Sequence, residues 1–187
     1  MLIRAFVAVS VRRPQRMDLL LNDLRSLCSG RTVKPTAPEN LHLTLRFLGD
    51  IEQAQVNSVI DAMNTAVYGV GVFDFKLENV GAFPRTLRPT VLWVGAADQG
   101  QLGTIVEQLN NALAGMGLGP ENRPWHPHVT IARIKSHPPT KLLQFITDHK
   151  NDHLGSIRVS SIELLRSDLQ PNGPAYAPLA CVPLIDK

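Results

Sequence analysis

The chain has 187 residues and a formal net charge of +3, with 44% hydrophobic and 19% charged residues. This length fits one domain or two small lobes that share a core, and the composition excludes a disordered chain. No apolar run approaches the ~20 residues that span a bilayer, and the N-terminal apolar stretch precedes its charges, the reverse of a secretory signal. Because Cys28 and Cys181 lack metal-ligand spacing, we expect a reduced, cytoplasmic protein.

Hydrophobic periodicity predicts strands and helices in alternation along the chain. The first helix is expected to begin at Pro14 and to stop at Gly30. The predicted strands are 2–9, 41–48, 72–80, 90–94, 128–134, 157–165 and 177–183, and the further helices are 56–67, 102–113 and 140–149. Helices separate strands that need not be parallel, so the order favours an α+β fold with antiparallel or mixed sheets.

One pattern of helix, loop, His-x-Thr strand, helix and strand occurs twice. His42 and His128 lie 86 residues apart, and Thr44 and Thr130 are separated by the same interval. We therefore predict an internal duplication into two α+β lobes, since two copies are too few for a repeat array.

The two His-x-Thr triplets lie in the segments ENLHLTLRFLGD and WHPHVTIAR. One such triplet is expected about 0.3 times by chance in a chain of this composition, so two matched copies are a specific signal. Residues i and i+2 of a strand share a face, so each histidine points the same way as its threonine. If the lobes face each other, two imidazoles with pKa values of about 6.5 supply an acid and a base, and two hydroxyls donate to phosphate oxygens.

Two other interpretations of the triplets stay open. The histidines could be strand residues with satisfied hydrogen bonds, beside threonines that favour β-structure. A zinc site is the other, with His126 and His128 as an i,i+2 pair, but no H-x-x-x-H or C-x-x-C spacing offers a third ligand. We expect no metal.

The duplicated H-x-T-x motif, at 42–45 and 128–131, resembles the two-histidine (2H) phosphoesterase superfamily. The RNA 2′,3′-cyclic phosphodiesterase (RNA 2′-5′ ligase) branch is the most similar. Successive family segments are matched by the strand from Arg4, by ENLHLTLRFLGD, GAFPRTLRPTVLWVG and WHPHVTIAR, and by LLRSDLQPNGPAYAPL. The resemblance implies that residues 1–187 form a single duplicated domain of two pseudo-symmetric, intertwined lobes. Each lobe would be an antiparallel or mixed sheet flanked by helices, with the active-site cleft between the lobes.

The resemblance also implies hydrolysis of an RNA 2′,3′-cyclic phosphate to a 2′-phosphomonoester without metal or other cofactor. Ligation of 2′-5′ ends is the microscopic reverse of the family's phosphodiester chemistry. By position, His42 would protonate the departing 3′ oxygen and His128 would accept a proton from the attacking water. Thr44 and Thr130 would hold the phosphate.

Three further side chains are candidates for binding the substrate. Arg133 matches a family arginine that binds phosphate, but strict alternation places it opposite His128, so it requires a bend or bulge in the strand. Arg46 is the alternative cation, because alternation places it on the face of His42. Trp125 matches a family aromatic and either stacks on a base or fills the core.

The expected partner is RNA with a 2′,3′-cyclic phosphate end, tRNA fragments included, or a small cyclic nucleotide. We expect a monomer without membrane contact. Two functional alternatives stay open: the same chemistry on 2′-5′ oligonucleotides or a small cyclic nucleotide, and a non-catalytic module that binds RNA ends. Phe83 and Trp93 are expected to pack within a hairpin.

Overall fold

The computed structural model describes residues 1–28, 32–118, 124–170 and 173–185. The strands within these ranges are β1 (Leu2–Ser10), β2 (Val33–Pro35), β3 (His42–Glu52), β4 (Phe73–Phe83), β5 (Val91–Ala97), β6 (His128–Ile134), β7 (His153–Val159), β8 (Ser161–Gln170) and β9 (Gly173–Pro183). The α-helices are α1 (Gln15–Ser26), α2 (Val56–Val67), α3 (Gln101–Ala114) and α4 (Thr140–Asp148).

The predicted α+β class is confirmed, and the strand pairs described are antiparallel. The prediction of one strand over 157–165 is wrong, because the chain leaves the ladder at Ser160 and divides this segment into β7 and β8. Apolar residues alternate with polar ones on both sides of the break, shifted by one residue. The sequence pattern therefore does not reveal the break. The sequence patterns also miss β2, which is too short for periodicity and contains Pro35. The predicted helix stop at Gly30 lies outside the described residues.

The strands form one curled sheet in which the two motif strands are central neighbours. The strand order is β7-β4-β5-β6-β3-β1-β8-β9, and β2 pairs with β6. The first lobe therefore contains β3, β1, β8 and β9, and the second lobe contains β6, β5, β4 and β7. Each lobe is built outward from its own His-x-Thr strand.

Helices cross between the lobes and cover one face of the sheet. Helix α1 follows β1 in the first lobe but packs on β7 in the second, and α3 follows β5 but packs on β3. Helix α2 packs along α3, and α4 contacts β4. Each lobe therefore depends on chain from the other half of the sequence.

The apolar faces of helices and strands form a core that extends through both lobes. In α1 the buried residues recur at helical spacing, at Met17, Leu20, Leu21 and Leu24. In β3 and β6 the apolar residues of the motifs point into this core. Their histidines and threonines are left on the opposite, open face. Among the described helices, none has the length and apolar character needed to cross a membrane.

Candidate active site

The two motif strands meet at a single residue pair. Leu43 of β3 lies opposite Val129 of β6 in antiparallel register, and both side chains are fully buried. Because neighbouring residues of a strand point to opposite faces, this register directs the flanking histidines and threonines to the open face. In this antiparallel register His42 lies on the side of Thr130, and Thr44 on the side of His128. The structure therefore brings the four predicted motif residues together, and each is partly exposed.

Both imidazoles are held in the same way by the backbone. Nδ1 of His42 lies 2.7 Å from the carbonyl oxygen of Asn40, and Nδ1 of His128 lies 2.7 Å from that of His126. A carbonyl oxygen can only accept, so Nδ1 carries the proton in each ring. The Nε2 atoms therefore point away from the backbone and are available to accept or donate a proton.

The pKa values of both histidines are lowered from their ordinary value of 6.5. Burial is the main cause for each, because a desolvated imidazolium is less stable, and the carbonyl hydrogen bond opposes this effect. The charge of Arg133 lowers the pKa of both rings further, as does a neighbouring histidine: His128 for His42, and His126 for His128. Both rings therefore favour the neutral form before a phosphate binds.

Arg133 reaches the open face through a bulge in β6. Pairing with β5 passes from Thr130 directly to Ala132, so Ile131 is left without a partner in that ladder. The bulge resets the alternation and returns the exposed Arg133 to the face of His128. The bend or bulge that the prediction for Arg133 required is therefore present.

A matching bulge in β3 removes Arg46 from this face. Pairing with β1 skips Leu45, so that Leu45 and Arg46 both point inward. Arg46 is only 5% exposed, and its Nη2 donates to the carbonyl oxygen of Leu118 at 3.2 Å. The expectation that Arg46 shares the face of His42 is wrong, because it assumed unbroken alternation.

The same bulge directs Phe47 to the open face, a residue that the sequence reasoning missed. Phe47 is 58% exposed and lies 86 residues before Arg133, the interval that separates the two histidines. Phe47 and Arg133 are therefore equivalent positions of the two lobes. The interval itself was the signal that could have identified Phe47.

Aromatic rings surround both histidines. Phe6 and Tyr176 lie 4.9 and 5.1 Å from His42 between ring centroids, and Tyr176 meets the imidazole edge-on. Phe83 lies 5.1 Å from His128, also edge-on. Phe6 and Tyr176 carry no local signal of this role, because only the β3-β1-β8-β9 strand order brings their strands to the site.

Phe83 and Trp93 pack against each other, as expected for a hairpin, with centroids 5.3 Å apart. Both rings also border His128, and they line a cavity of about 390 Å³ beside it. Glu78 and Asn79 supply polar groups to the same cavity. The space beside His128 is thus much larger than one water molecule, which occupies about 30 Å³.

Trp125 fastens the loop before β6 to the first motif. Its half-buried ring packs against the core, and its Nε1–H donates to the carbonyl oxygen of Thr44 at 3.0 Å. These contacts favour the core alternative for Trp125. Within the described ranges, no group of three or more His, Cys, Asp and Glu side chains is arranged to hold a metal ion.

The family model described as LigT like Phosphoesterase matches the chain twice, over residues 8–93 and 94–176. The chain belongs to this family. The two matches begin 86 residues apart, the interval that separates the two histidines. The resemblance to 2H phosphoesterases is therefore confirmed.

Curated relatives of this family are similar over most of their length. An RNA 2′,3′-cyclic phosphodiesterase of Methanothermobacter thermautotrophicus is 31% identical over 94% of this chain and 96% of its own. One from Aeropyrum pernix is 35% identical over 81% and 86%. A solved structure from Thermus thermophilus has a TM-score of 0.80 at 26% identity, and covers 98% of this chain and 99% of its own. Escherichia coli LigT with 3′-AMP shares the fold, with a TM-score of 0.77 at 24% identity over 98% and 99% of the two chains.

Proposed function

We propose that this chain hydrolyses 2′,3′-cyclic phosphate ends of RNA to 2′-phosphomonoesters without a metal ion or other cofactor. The observation that carries the proposal is the matched pair of imidazoles, each with Nδ1 bonded to the carbonyl oxygen two residues earlier. Two such rings supply an acid and a base. The names of the Methanothermobacter and Aeropyrum relatives support this choice of substrate.

In the proposed reaction, Nε2 of His128 accepts a proton from water as the water oxygen attacks phosphorus. The bond between phosphorus and the 3′ oxygen breaks in line, and His42 gives its proton to that oxygen. The phosphate remains on the 2′ oxygen. His128 ends protonated and His42 neutral, and exchange with solvent restores the starting forms.

We assign stabilisation of the phosphate to the other polar groups on the open face. Thr44 and Thr130 donate hydroxyl hydrogen bonds to the non-bridging oxygens, and Arg133 contributes a two-pronged contact and a positive charge. Base stacking is assigned to the exposed ring of Phe47 rather than to Trp125, whose ring packs on the core and whose N–H is already bonded.

The cavity beside His128 favours a second reaction of the same site. A ribonucleoside in this cavity would present its 5′-hydroxyl to His128 in the place of water. Attack then forms a 2′-5′ phosphodiester while the bond to the 3′ oxygen breaks, and the reverse reaction cleaves that linkage. Two aromatic walls and a volume of about 390 Å³ support an occupant of nucleoside size.

We further propose that residues 1–187 act as a single duplicated domain and as a monomer. The crossing of α1 and α3 between the lobes supports one cooperative unit. The proposed catalytic and phosphate-binding residues all come from one chain, which supports activity without a second copy.

The experiment is incubation of the purified protein with an RNA that ends in a 2′,3′-cyclic phosphate, in EDTA, followed by identification of the phosphate position. We expect a 2′-phosphate. An unchanged substrate would contradict the hydrolysis, and activity only after metal is restored would contradict the metal-free chemistry. A 3′-phosphate would show that the substrate lies reversed between His42 and His128.

A further inference from the structure

The positive charge of the chain is concentrated around β6. Segments 32–38, 82–92 and 128–141 contain six Lys and Arg residues and no Asp or Glu. The other 13 Lys and Arg stand against 16 Asp and Glu, a net charge of −3. Five of the six lie on β2, on the hairpin between β4 and β5, or on β6 and the residue after it. We call them the basic corner: Lys34, Arg85, Arg88, Arg133 and Lys135.

Strand pairing brings the three segments together. On β6, Arg133 lies opposite Lys34 of β2 on one side and opposite Val91 of β5 on the other. Ile134 donates its N–H to the carbonyl oxygen of Thr90, at the base of the hairpin between β4 and β5. The basic corner is therefore continuous with the candidate active site through Arg133.

The hairpin extends the charge away from the site. Arg85 and Arg88 lie in its exposed tip, where the N–H of Arg88 donates to the carbonyl oxygen of Arg85 at 3.1 Å. In the part of the chain that the structure describes, neither guanidinium has an ion-pair partner. Leu87, between them, is 78% exposed. Pro84 and Pro89 bracket the turn and restrict its backbone, so that little entropy is lost when the tip binds a ligand.

We propose that Arg85 and Arg88 bind phosphates of the RNA strand upstream of the cyclic end. The inference rests on the proposed function, because the proposed reaction places the cyclic end between the two histidines. Arg88 lies three residues before Val91, which is at most about 10 Å along an extended chain. At ~3.4 Å per stacked nucleotide, the arginines reach about three nucleotides from the end. A mononucleotide is too short to contact them, so the hairpin selects for polymeric RNA.

The test compares a mononucleoside 2′,3′-cyclic phosphate with oligoribonucleotides of two to six residues that carry the same end. For the native chain, kcat/KM should rise until about four nucleotides and then become constant. The double variant Arg85→Gln/Arg88→Gln should lose this rise but keep the native kcat/KM on the mononucleotide. A matched control is Arg16→Gln/Arg25→Gln, which removes the same charge from α1, a helix outside the basic corner that packs on the edge strand β7.

Salt provides a second readout. For single-stranded nucleic acid, the logarithm of the binding constant falls with the logarithm of salt concentration, with a slope of about −0.7 per phosphate contact. Two contacts therefore lower the affinity about sevenfold between 50 and 200 mM salt. When salt is raised over this range, kcat/KM on the tetranucleotide should fall about sevenfold less for the Arg85/Arg88 variant than for the native chain. The Arg16/Arg25 variant should behave like the native chain.

The inference would be overturned if kcat/KM of the native chain did not depend on RNA length. It would also be overturned if the Arg85/Arg88 variant kept the native kcat/KM on long RNA, or if its kcat/KM fell equally on the mononucleotide. A nucleoside diphosphate or triphosphate can be added as a competitor. If it inhibited the native chain as strongly as the tetranucleotide does, the hairpin would bind small nucleotides instead. If the native chain hydrolysed none of the substrates, the proposed function would fail. Fluorescence anisotropy with end-labelled RNA of the same lengths would then still test the hairpin.

Discussion

Leu43 and Val129 are paired at the point where the two lobes join, and they occupy equivalent positions 86 residues apart. A pseudo-twofold axis therefore passes between them. Each residue separates the histidine from the threonine of its own motif, so one buried pair positions all four polar side chains. The chemistry on the open face depends on apolar packing behind it.

Arg133→Ala should lower kcat by about 10²–10³, because it removes a charged donor from the phosphate. Since the charge of Arg133 lowers the pKa of both histidines, the acid limb of the kcat/KM profile should move to higher pH. Arg133→Lys should keep the position of that limb but lose most of kcat, because an ammonium lacks the planar fork. Kinetics at several pH values on a mononucleoside cyclic phosphate checks this. Full activity of Arg133→Ala would contradict the proposed contact between Arg133 and the phosphate.

Trp125→Ala should lower the free energy of unfolding by about 3 kcal/mol, because a half-buried ring leaves the core. Trp125→Phe should cost less, about 1 kcal/mol, because it keeps an aromatic ring against the core but loses the hydrogen bond to the carbonyl oxygen of Thr44. Urea unfolding of both variants checks the pair. Unchanged stability together with a large rise in KM would show that Trp125 stacks on substrate instead.

Gly81→Ala should disturb the site through Trp93. A Cβ at Gly81 would overlap Cζ2 of Trp93, so the indole beside His128 must move. We expect a loss of about 1–3 kcal/mol in stability and a lower kcat. Gly103→Ala in α3 is the matched control, because its Cβ meets nothing within 4 Å and alanine favours a helix. Equal behaviour of the two variants in urea unfolding and turnover would refute this role for Gly81.

The pH profile of activity should be bell-shaped, because one imidazole must be neutral and the other protonated. Burial lowers both pKa values in the free chain, so the optimum of kcat/KM should lie below 6.5. A bound phosphate anion favours the protonated rings, so the optimum of kcat should lie at higher pH. The limbs belong to the coupled pair. A kcat optimum at lower pH than that of kcat/KM would contradict these signs.

The placement of the two His-x-Thr motifs could be predicted from sequence because each depends on local alternation. His42 and Thr44 share a face whatever strand lies beside them, and the second motif repeats this arrangement. The continuation of each motif could not be predicted in the same way. The bulges at Leu45 and Ile131 are defined by the partner strands β1 and β5, and they reverse the expected positions of Arg46 and Arg133.

Residues that reach the site from distant strands could not be predicted from sequence either. Tyr176 contacts His42 because β9 pairs with β8, which pairs with β1. Nothing in the segment around Tyr176 indicates this neighbour. Phe47, in contrast, lies 86 residues before Arg133, so the sequence repeat itself indicates this position.

Turnover of an RNA cyclic phosphate by His42→Ala, His128→Ala and the double variant is the decisive measurement for the paired acid and base. Each single variant should remain folded and lose about 10²–10⁴ in kcat. The double variant should lose far less than the product of the two, because the acid and the base act in one step. His137→Ala, an exposed histidine outside the two motifs, should keep native turnover. A single variant of His42 or His128 with near-native kcat would contradict the paired acid and base.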